Sequence, residues 1–157
     1  YSFEPFDKNI KIFRENLKDY LENNKCVLYE TALSDQHGTK ILYNSEVDNY
    51  GGISLHKEMK SFVVNESVNV QTLDSFVVEN VSFIKIDVEN HENEVLIGGK
   101  ETIMKYKPVI CLENSNHFFS YLFPDPEPHK TVLEGYGYKK VASNVCNSGM
   151  DIWIYNK

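Results

Sequence analysis

Segments with strand-like and helix-like patterns alternate along this chain, and this alternation limits the fold more than any other feature. Residues 7–24 carry apolar side chains at steps of three and four, as an amphipathic helix does, and residues 25–33 form a short apolar run typical of a buried strand. A strand at residues 81–87, a helical face at 91–106 and a strand at 109–113 follow. The alternation predicts an α/β fold with a mainly parallel sheet covered on both faces.

The remaining segments predict how this sheet is extended and closed. Residues 34–67 contain turn-forming residues between short apolar runs and predict hairpin-like excursions. Residues 130–134 predict a short helix, and residues 138–143 and 151–155 predict an antiparallel pair at the C-terminal edge. The length of 157 residues is typical of one domain, so we expect residues 1–157 to form a single domain.

Charge and composition exclude several classes of partner. The chain has 16 Lys and Arg against 23 Asp and Glu, a net charge of 16 − 23 = −7, which disfavours binding to nucleic acid and to anionic lipid. The apolar runs are too short to span a bilayer, and the N-terminus has no signal-peptide pattern. Cys26, Cys111 and Cys146 lie far apart, with no C-x-x-C spacing or nearby His to suggest a metal site at the cysteines, which predicts buried, reduced thiols. We expect a cytoplasmic protein.

Polar residues stand where the predicted strands end. In a parallel sheet, ligands bind beyond the carboxyl ends of the strands. Clustered carboxylates repel one another unless a ligand, a cation or a backbone donor offsets their charge, so the pattern favours a binding site over a purely structural protein. The residues in this position are Glu4, Ser34, Asp35, Asp87, Glu89, Glu113 and Asn114.

Glu4 lies between a strand-like stretch and a helix. A Rossmann-like site places the carboxylate that binds the ribose hydroxyls of a nucleoside cofactor at this position, because a carboxylate accepts two hydroxyl donors at once. The alternative is an exposed acid favoured only by the helix dipole.

Residues 83–92 carry the densest group of charges. Alternation along the strand aims Lys85 and Asp87 to the same side, and Asp87 is a candidate for orienting a substrate hydroxyl or for acting as a base. Glu89 and His91 are candidate proton acceptors or ligands of a hard cation. The alternative is a Lys85–Asp87 ion pair.

Some nearby polar residues favour simpler interpretations. Glu92 and Glu94 are best explained as first-turn acids that complement the helix dipole. His117 follows Glu113 and Asn114 in a polar loop, which suits either an acceptor-binding base or a solvated histidine. The other histidines outside the 83–92 stretch have no partner nearby in sequence and receive no role: His37, His56 and His129.

Three motifs follow one another in the second half of the chain. Residues 85–92 read KIDVENHE, residues 95–98 read VLIG, and residues 107–113 read KPVICLE. In this order they resemble the FkbM family of S-adenosylmethionine-dependent methyltransferases, whose hallmark runs K-I-D-V-E-G-x-E, then V-L-x-G, then a proline and a strand that ends in glutamate. Asn90 stands at the family's usual glycine, and asparagine also tolerates a left-handed backbone.

Further segments extend the resemblance over most of the chain. Residues 3–5 are similar to the family's ribose-binding acid, 32–35 to its adenine-side turn, 72–74 to the approach to its hallmark strand, and 135–138 to the turn before its last strands. The resemblance implies a Rossmann-like three-layer sandwich that transfers a methyl group from S-adenosylmethionine to a hydroxyl of a sugar or natural product. The implied site has cofactor-binding residues, catalytic residues and acceptor-binding residues. The cofactor-binding residues are Glu4, Pro5, Leu33, Ser34 and Asp87. The catalytic residues are Asp87, Glu89 and His91, and the acceptor-binding residues are Glu113, Asn114 and His117.

Several expectations stand beside this interpretation. The donor set of Asp87, Glu89 and Glu113 is compatible with a divalent cation but does not require one. Another Rossmann-type enzyme using a nicotinamide or a nucleotide sugar is the alternative enzyme, and a non-catalytic binding or scaffold remnant is the alternative outside enzymes. Family members carry a first strand and a glycine-rich turn before the segment at Glu4, so we expect an N-terminally truncated domain. A longer parent chain or a partner would supply the missing strand, between the strands that end at Glu4 and Asp87.

Overall fold

The computed structural model describes residues 1–44, 52–56, 62–114, 128–145 and 148–156. Within these ranges the chain forms ten strands and five α-helices. The strands are β1 (Ser2–Phe3), β2 (Leu28–Tyr29), β3 (Ala32–Leu33), β4 (Gly38–Asn44), β5 (Ile53–Ser54), β6 (Phe62–Gln71), β7 (Phe83–Ile86), β8 (Val109–Glu113), β9 (Tyr138–Val145) and β10 (Met150–Tyr155). The helices are α1 (Asp7–Asn16), α2 (Lys18–Glu22), α3 (Glu92–Gly98), α4 (Lys100–Tyr106) and α5 (Pro128–Gly135).

The strands form three sheets, two of them mixed. β1 and β2 make a parallel pair, β3-β6-β4-β5 make a second sheet and β7-β8-β10-β9 make a third. Among the described residues, only the β1–β2, β3–β6 and β7–β8 pairings are parallel. The α/β class is confirmed, whereas one mainly parallel sheet is not confirmed, because both four-stranded sheets of the described residues are mixed. The predicted antiparallel closing pair is present as β9 and β10, with β9 at the edge.

The sheets separate where one predicted strand changes partner. Residues 25–33 form two short strands, β2 and β3, rather than one, and these pair with β1 and β6 respectively. Thr31, at the break, is buried, and its hydroxyl donates to the Asn69 carbonyl oxygen at 2.9 Å. The hairpin-like excursion supplies β4, β5 and most of β6, so it builds the antiparallel part of the second sheet, to which β3 adds a parallel strand.

The main core lies on one face of β7 and β8. Alternation along these strands buries Ile86, Ile110 and Leu112, which cluster with side chains of α3, α4 and α5 around the fully buried Trp153. The opposite face exposes Phe83 and Val109. The predicted cover of helices on both faces is therefore not found for these strands within the described ranges.

The predicted helix 91–106 is divided in the structure. It consists of α3 and α4, which meet at Gly99. A Cβ atom at Gly98 would lie 1.9 Å from the Ser34 carbonyl oxygen, so only glycine lets α3 approach the end of β3 this closely.

None of the helices in the described ranges is both long and apolar enough to cross a membrane. The cytoplasmic location stays a prediction. Cys26 and Cys111 are half-buried free thiols, and Cys146 lies outside the described residues.

Candidate functional site

A cleft of about 700 Å³ lies between β1 and β7. Within the described ranges β1 pairs only with β2, and β7 pairs only with β8, so the two strand edges that border the cleft have no strand partner there. Six of the sequence-predicted site residues line this cleft: Glu4, Pro5, Leu33, Asp87, Glu89 and His91. The structure thus brings the predicted ribose-binding acid and the predicted catalytic acids to one cavity.

Glu4 follows β1 directly and is half-buried. The Phe6 backbone N–H donates to Oε1 at 2.9 Å, and Asn9 Nδ2 donates to Oε2 at 3.5 Å. Burial raises the pKa of Glu4, although both hydrogen bonds act in the opposite direction. Each carboxylate oxygen has a second acceptor position, so these contacts leave Glu4 able to accept hydroxyl donors.

Three carboxylates meet at the ends of β7 and β8. The parallel register pairs Ile86 with Leu112, and the next residues along the chain bring Asp87, Glu89 and Glu113 together with oxygen atoms within 4.8 Å of one another. This donor set suits a hard cation such as Mg²⁺ or Ca²⁺. On the exposed side, Lys85 Nζ donates to Asp87 Oδ2 at 2.7 Å, so the Lys85–Asp87 pair considered from sequence is present.

The loop between β7 and α3 has a left-handed backbone at two positions, Glu89 (φ 53°) and Asn90 (φ 75°). The tolerance predicted for Asn90 is confirmed, whereas Glu89 is a residue that rarely adopts this conformation. Side chains on either side hold the loop: Ser54 Oγ donates to the Glu89 carbonyl oxygen at 2.5 Å, and Glu92 Oε1 accepts the N–H groups of Val88 at 3.4 Å and Asn90 at 3.2 Å.

Glu92 is buried, contrary to its interpretation as a first-turn acid that merely complements the helix dipole. Burial raises its pKa to about 7, and the nearby charge of Glu113 adds to the increase. Helix-dipole reasoning could not reveal the burial of Glu92. The sequence feature that could have indicated a special role is its position as the last residue of the motif KIDVENHE.

His91 lies inside the protein, with 1% of its surface exposed. Its Nε2 is 3.0 Å from Ser34 Oγ, and its Nδ1 is 3.0 Å from Nε2 of His56. Burial lowers the pKa of His91, and with the smaller effects of the charges of Lys40 and His56 it falls to about 3. Ser34 is itself fully buried, and its hydroxyl donates to Asp35 Oδ1 at 3.1 Å. Protein groups therefore face both ring nitrogens of His91.

The residues predicted to bind the acceptor lie in different surroundings. Glu113 is half-buried beside the other acids. Asn114 is buried, with its Nδ2 donating to Asp151 Oδ2 at 3.1 Å and its backbone N–H donating to the Gly149 carbonyl oxygen at 2.8 Å. His117 lies outside the described residues.

Sequence reasoning missed a second group beside the cleft. His56, which received no role, lies against His91, and Glu94 approaches both rings. His56 and His91 are 35 positions apart, so no local pattern could have paired them.

A mixed α/β fold with acids around a cleft at the carboxyl ends of parallel strands defines a class of ligand-binding proteins. Within this class, a family model described as the methyltransferase FkbM domain matches residues 1–140. The chain therefore belongs to the FkbM methyltransferase family, as its motifs predicted.

A solved structure agrees with this assignment. A crystal structure of methyltransferase FkbM from Methylobacillus flagellatus KT aligns with a TM-score of 0.62 at 14% sequence identity, over 98% of this chain and 35% of that one. At this identity the similarity concerns the fold. The chain spans about a third of the length of that protein. A search of curated proteins found no match.

Proposed function

We propose that this chain is part of an S-adenosylmethionine-dependent methyltransferase that methylates a hydroxyl group of a sugar or natural product. The observation that carries the proposal is that Glu4 and the acidic group of Asp87 and Glu89 line the same cleft in a member of a methyltransferase family. The volume of the cleft, about 700 Å³, falls within the range of small-molecule sites, roughly 300–1,000 Å³.

The residues around the cleft have the chemistry that the cofactor requires. Glu4 supplies carboxylate oxygens for the two ribose hydroxyls, and Pro5 and Leu33 supply apolar surface beside it. Ser34 is fully buried, so in this proposal it supports the adenine side from below rather than touching the base with its hydroxyl. Asp87 lies across the cleft from Glu4, and the proposal assigns it to the junction of cofactor and acceptor.

S-adenosylmethionine supplies an electrophilic methyl group when bound. The tasks left to the protein are to align the acceptor hydroxyl and to take its proton. Glu89 is the candidate for taking the proton, because it lines the cleft beside Asp87 on a backbone fixed by Ser54. His91 suits this task less well, since protein groups face both of its ring nitrogens and its pKa is lowered by burial to about 3.

The acidic group also has the chemistry for a cation. Asp87, Glu89 and Glu113 are the residues that would hold a divalent ion, which would offset the repulsion among three neighbouring carboxylates.

We also propose that a further parallel strand, from a longer parent chain or from a partner, pairs along the cleft between β1 and β7. Both bordering strands run parallel to their described neighbours, and both edges that face the cleft have no strand partner in the described part of the chain. Phe83, on β7, is 56% exposed and offers apolar surface to such a strand.

The proposal is tested by calorimetric titration of S-adenosylhomocysteine into the 157-residue chain. Glu4→Gln keeps the shape of the side chain but removes its charge, and hydrogen bonds to charged groups are worth about 1.5–3 kcal/mol, so we expect the affinity to fall about 10- to 100-fold. Glu15→Gln, on the exposed surface of α1, is the control and should bind like the unmodified chain.

The same titration separates the alternatives. Preferential binding of NADH or of a nucleotide sugar would favour a different Rossmann-type enzyme. Binding only after extension of the chain upstream in its native reading frame would assign the site to the longer protein. Failure of both chains to bind S-adenosylhomocysteine would refute the methyltransferase proposal and favour a scaffold role.

A further inference from the structure

A buried histidine, a half-buried histidine and a carboxylate converge beside the cleft but outside the acidic group. His91 Nδ1 and His56 Nε2 are 3.0 Å apart. Glu94 presents one oxygen to each ring: Oε2 lies 3.5 Å from His91 Nδ1, and Oε1 lies 3.8 Å from His56 Nε2. Donor atoms of all three residues lie within 4.8 Å of one another.

Hydrogen bonds on the far side of His91 determine its tautomer. Asp35 accepts the Ser34 hydroxyl proton, so the Ser34 oxygen is left as an acceptor and His91 Nε2 must carry the proton between them. His91 Nδ1 then has a lone pair, and it faces the carboxylate of Glu94, which is also an acceptor. Both acceptors face His56 Nε2. In the described part of the chain, the N–H of this one nitrogen is therefore the donor available to His91 Nδ1 and to Glu94.

We propose that His56, His91 and Glu94 form a binding site for a divalent transition-metal ion of the zinc type. Zinc bound tetrahedrally at about 2.0–2.1 Å holds its ligand atoms about 3.3 Å apart, and the observed separations of 3.0, 3.5 and 3.8 Å lie on either side of this value. Two imidazoles and one carboxylate are a common three-residue zinc set. The side chains of His56 and Glu94 are 30% and 28% exposed, which leaves an approach from solvent for the ion and for a water as fourth ligand.

The surroundings of His91 are those of a metal ligand. Metal-binding histidines hydrogen-bond through their second ring nitrogen to a group that orients the ring, as His91 does to Ser34. The ion would take the place of the proton between His56 Nε2 and His91 Nδ1. That proton would move to Nδ1 of His56, which leaves Nε2 free to bind the ion.

Such an ion would connect two parts of the fold. His56 follows β5, and its backbone N–H donates to Ser54 Oγ at 3.1 Å, while Ser54 also holds the Glu89 carbonyl oxygen. His91 and Glu94 belong to the start of α3. The metal would fix the segment after β5 to α3 and so fix the loop that carries Glu89.

The test is a Zn²⁺ titration of the chelator-treated 157-residue chain, by competition with a chromophoric chelator. We expect one Zn²⁺ per chain and a fall in affinity of at least about tenfold for His56→Gln and for Glu94→Gln. Ser34→Ala, which removes only the orienting hydroxyl, should weaken binding by about 10- to 100-fold. His37→Gln removes an exposed histidine and should bind as the unmodified chain does.

Two further readouts separate the site from surface binding. Co²⁺ bound to the unmodified chain should show the visible absorption of a tetrahedral site, which Glu94→Gln should lose. Zn²⁺ should raise the melting temperature of the unmodified chain but not that of Glu94→Gln, by linkage. Glu94→Gln keeps the shape of a half-buried side chain and therefore remains decisive if His56→Gln folds poorly. Absence of Zn²⁺ binding, or undiminished binding by Glu94→Gln, would overturn the proposal.

Discussion

Replacing Gly98 with alanine should destabilise the fold. This is the opposite of what helix propensity alone predicts, since alanine favours a helix over glycine by about 1 kcal/mol. The new Cβ would lie 1.9 Å from the Ser34 carbonyl oxygen, 2.9 Å from the Ser34 carbonyl carbon and 3.3 Å from Asp35 Cα. These are backbone atoms, which cannot rotate away as a side chain can, so α3 and the end of β3 must separate. Overpacking costs about 1–3 kcal/mol, and contact with backbone points to the upper end of this range. After the gain in propensity, we expect a net loss of about 2 kcal/mol, or about 4–8 °C in melting temperature.

Urea unfolding followed by fluorescence measures this loss. Trp153 is the single tryptophan of the chain and is fully buried, so its emission reports on the core that α3 covers. Gly135→Ala is the matched control, because a Cβ there would meet nothing within 4 Å, and it should leave stability unchanged or raise it by up to about 1 kcal/mol. A Gly98→Ala chain as stable as the unmodified one would refute the close approach of α3 to β3.

Substitutions at three further residues test the electrostatics and the backbone of the site. Burial raises the pKa of Glu92 to about 7, above the usual 4.5, so its contribution to stability is complete below about pH 4.5 and is lost as the pH rises through 7. Glu92→Gln should remove this loss and raise the free energy of unfolding at pH 8 by up to about 3 kcal/mol, with Glu134→Gln as the exposed control, both measured by urea unfolding from pH 4 to 8. Asn90→Gly should be more stable than Asn90→Ala by about 1 kcal/mol in the same assay, because both lose the same side chain and only glycine suits φ 75°; equal stabilities would contradict the strain. The pKa of Asp151 is lowered, because its hydrogen bonds, including one from Lys140 at 3.0 Å, outweigh the opposite effect of burial. The stabilising effect of the Asp151 carboxylate is therefore present above pH 3.8 and is lost as the pH falls through the lowered pKa. Asp151→Asn should therefore cost about 2 kcal/mol at pH 7 and progressively less as the pH falls below 3.8, and a pH-independent difference would argue against the charge.

Local patterns were sufficient to locate most elements. The apolar runs at 81–87 and 109–113 became β7 and β8, and the helical face at 91–106 became α3 and α4. These features depend on periodicity and on the conformational limits of single residues, which neighbouring positions determine. The motif order was likewise enough to identify the family.

The candidate site was only partly predictable. The rule that ligands bind at strand ends led to Glu4, Asp87 and Glu89, and the structure brings all three to one cleft. The same rule also selected Asn114, but it could not show that the Asn114 amide donates to the buried Asp151 inside the protein.

Tertiary structure decided the rest. Residues 25–33 read as one strand, yet β2 and β3 join different sheets because their hydrogen-bonding partners, β1 and β6, lie elsewhere along the chain. Burial of Glu92 and the meeting of His56 with His91 likewise depend on segments far apart in sequence. The sequence by itself determined which residues favour helix or strand and which family the chain resembles. Strand partners, burial and shifted pKa values arise only when distant segments meet, because pairing and desolvation are properties of contacts rather than of local sequence.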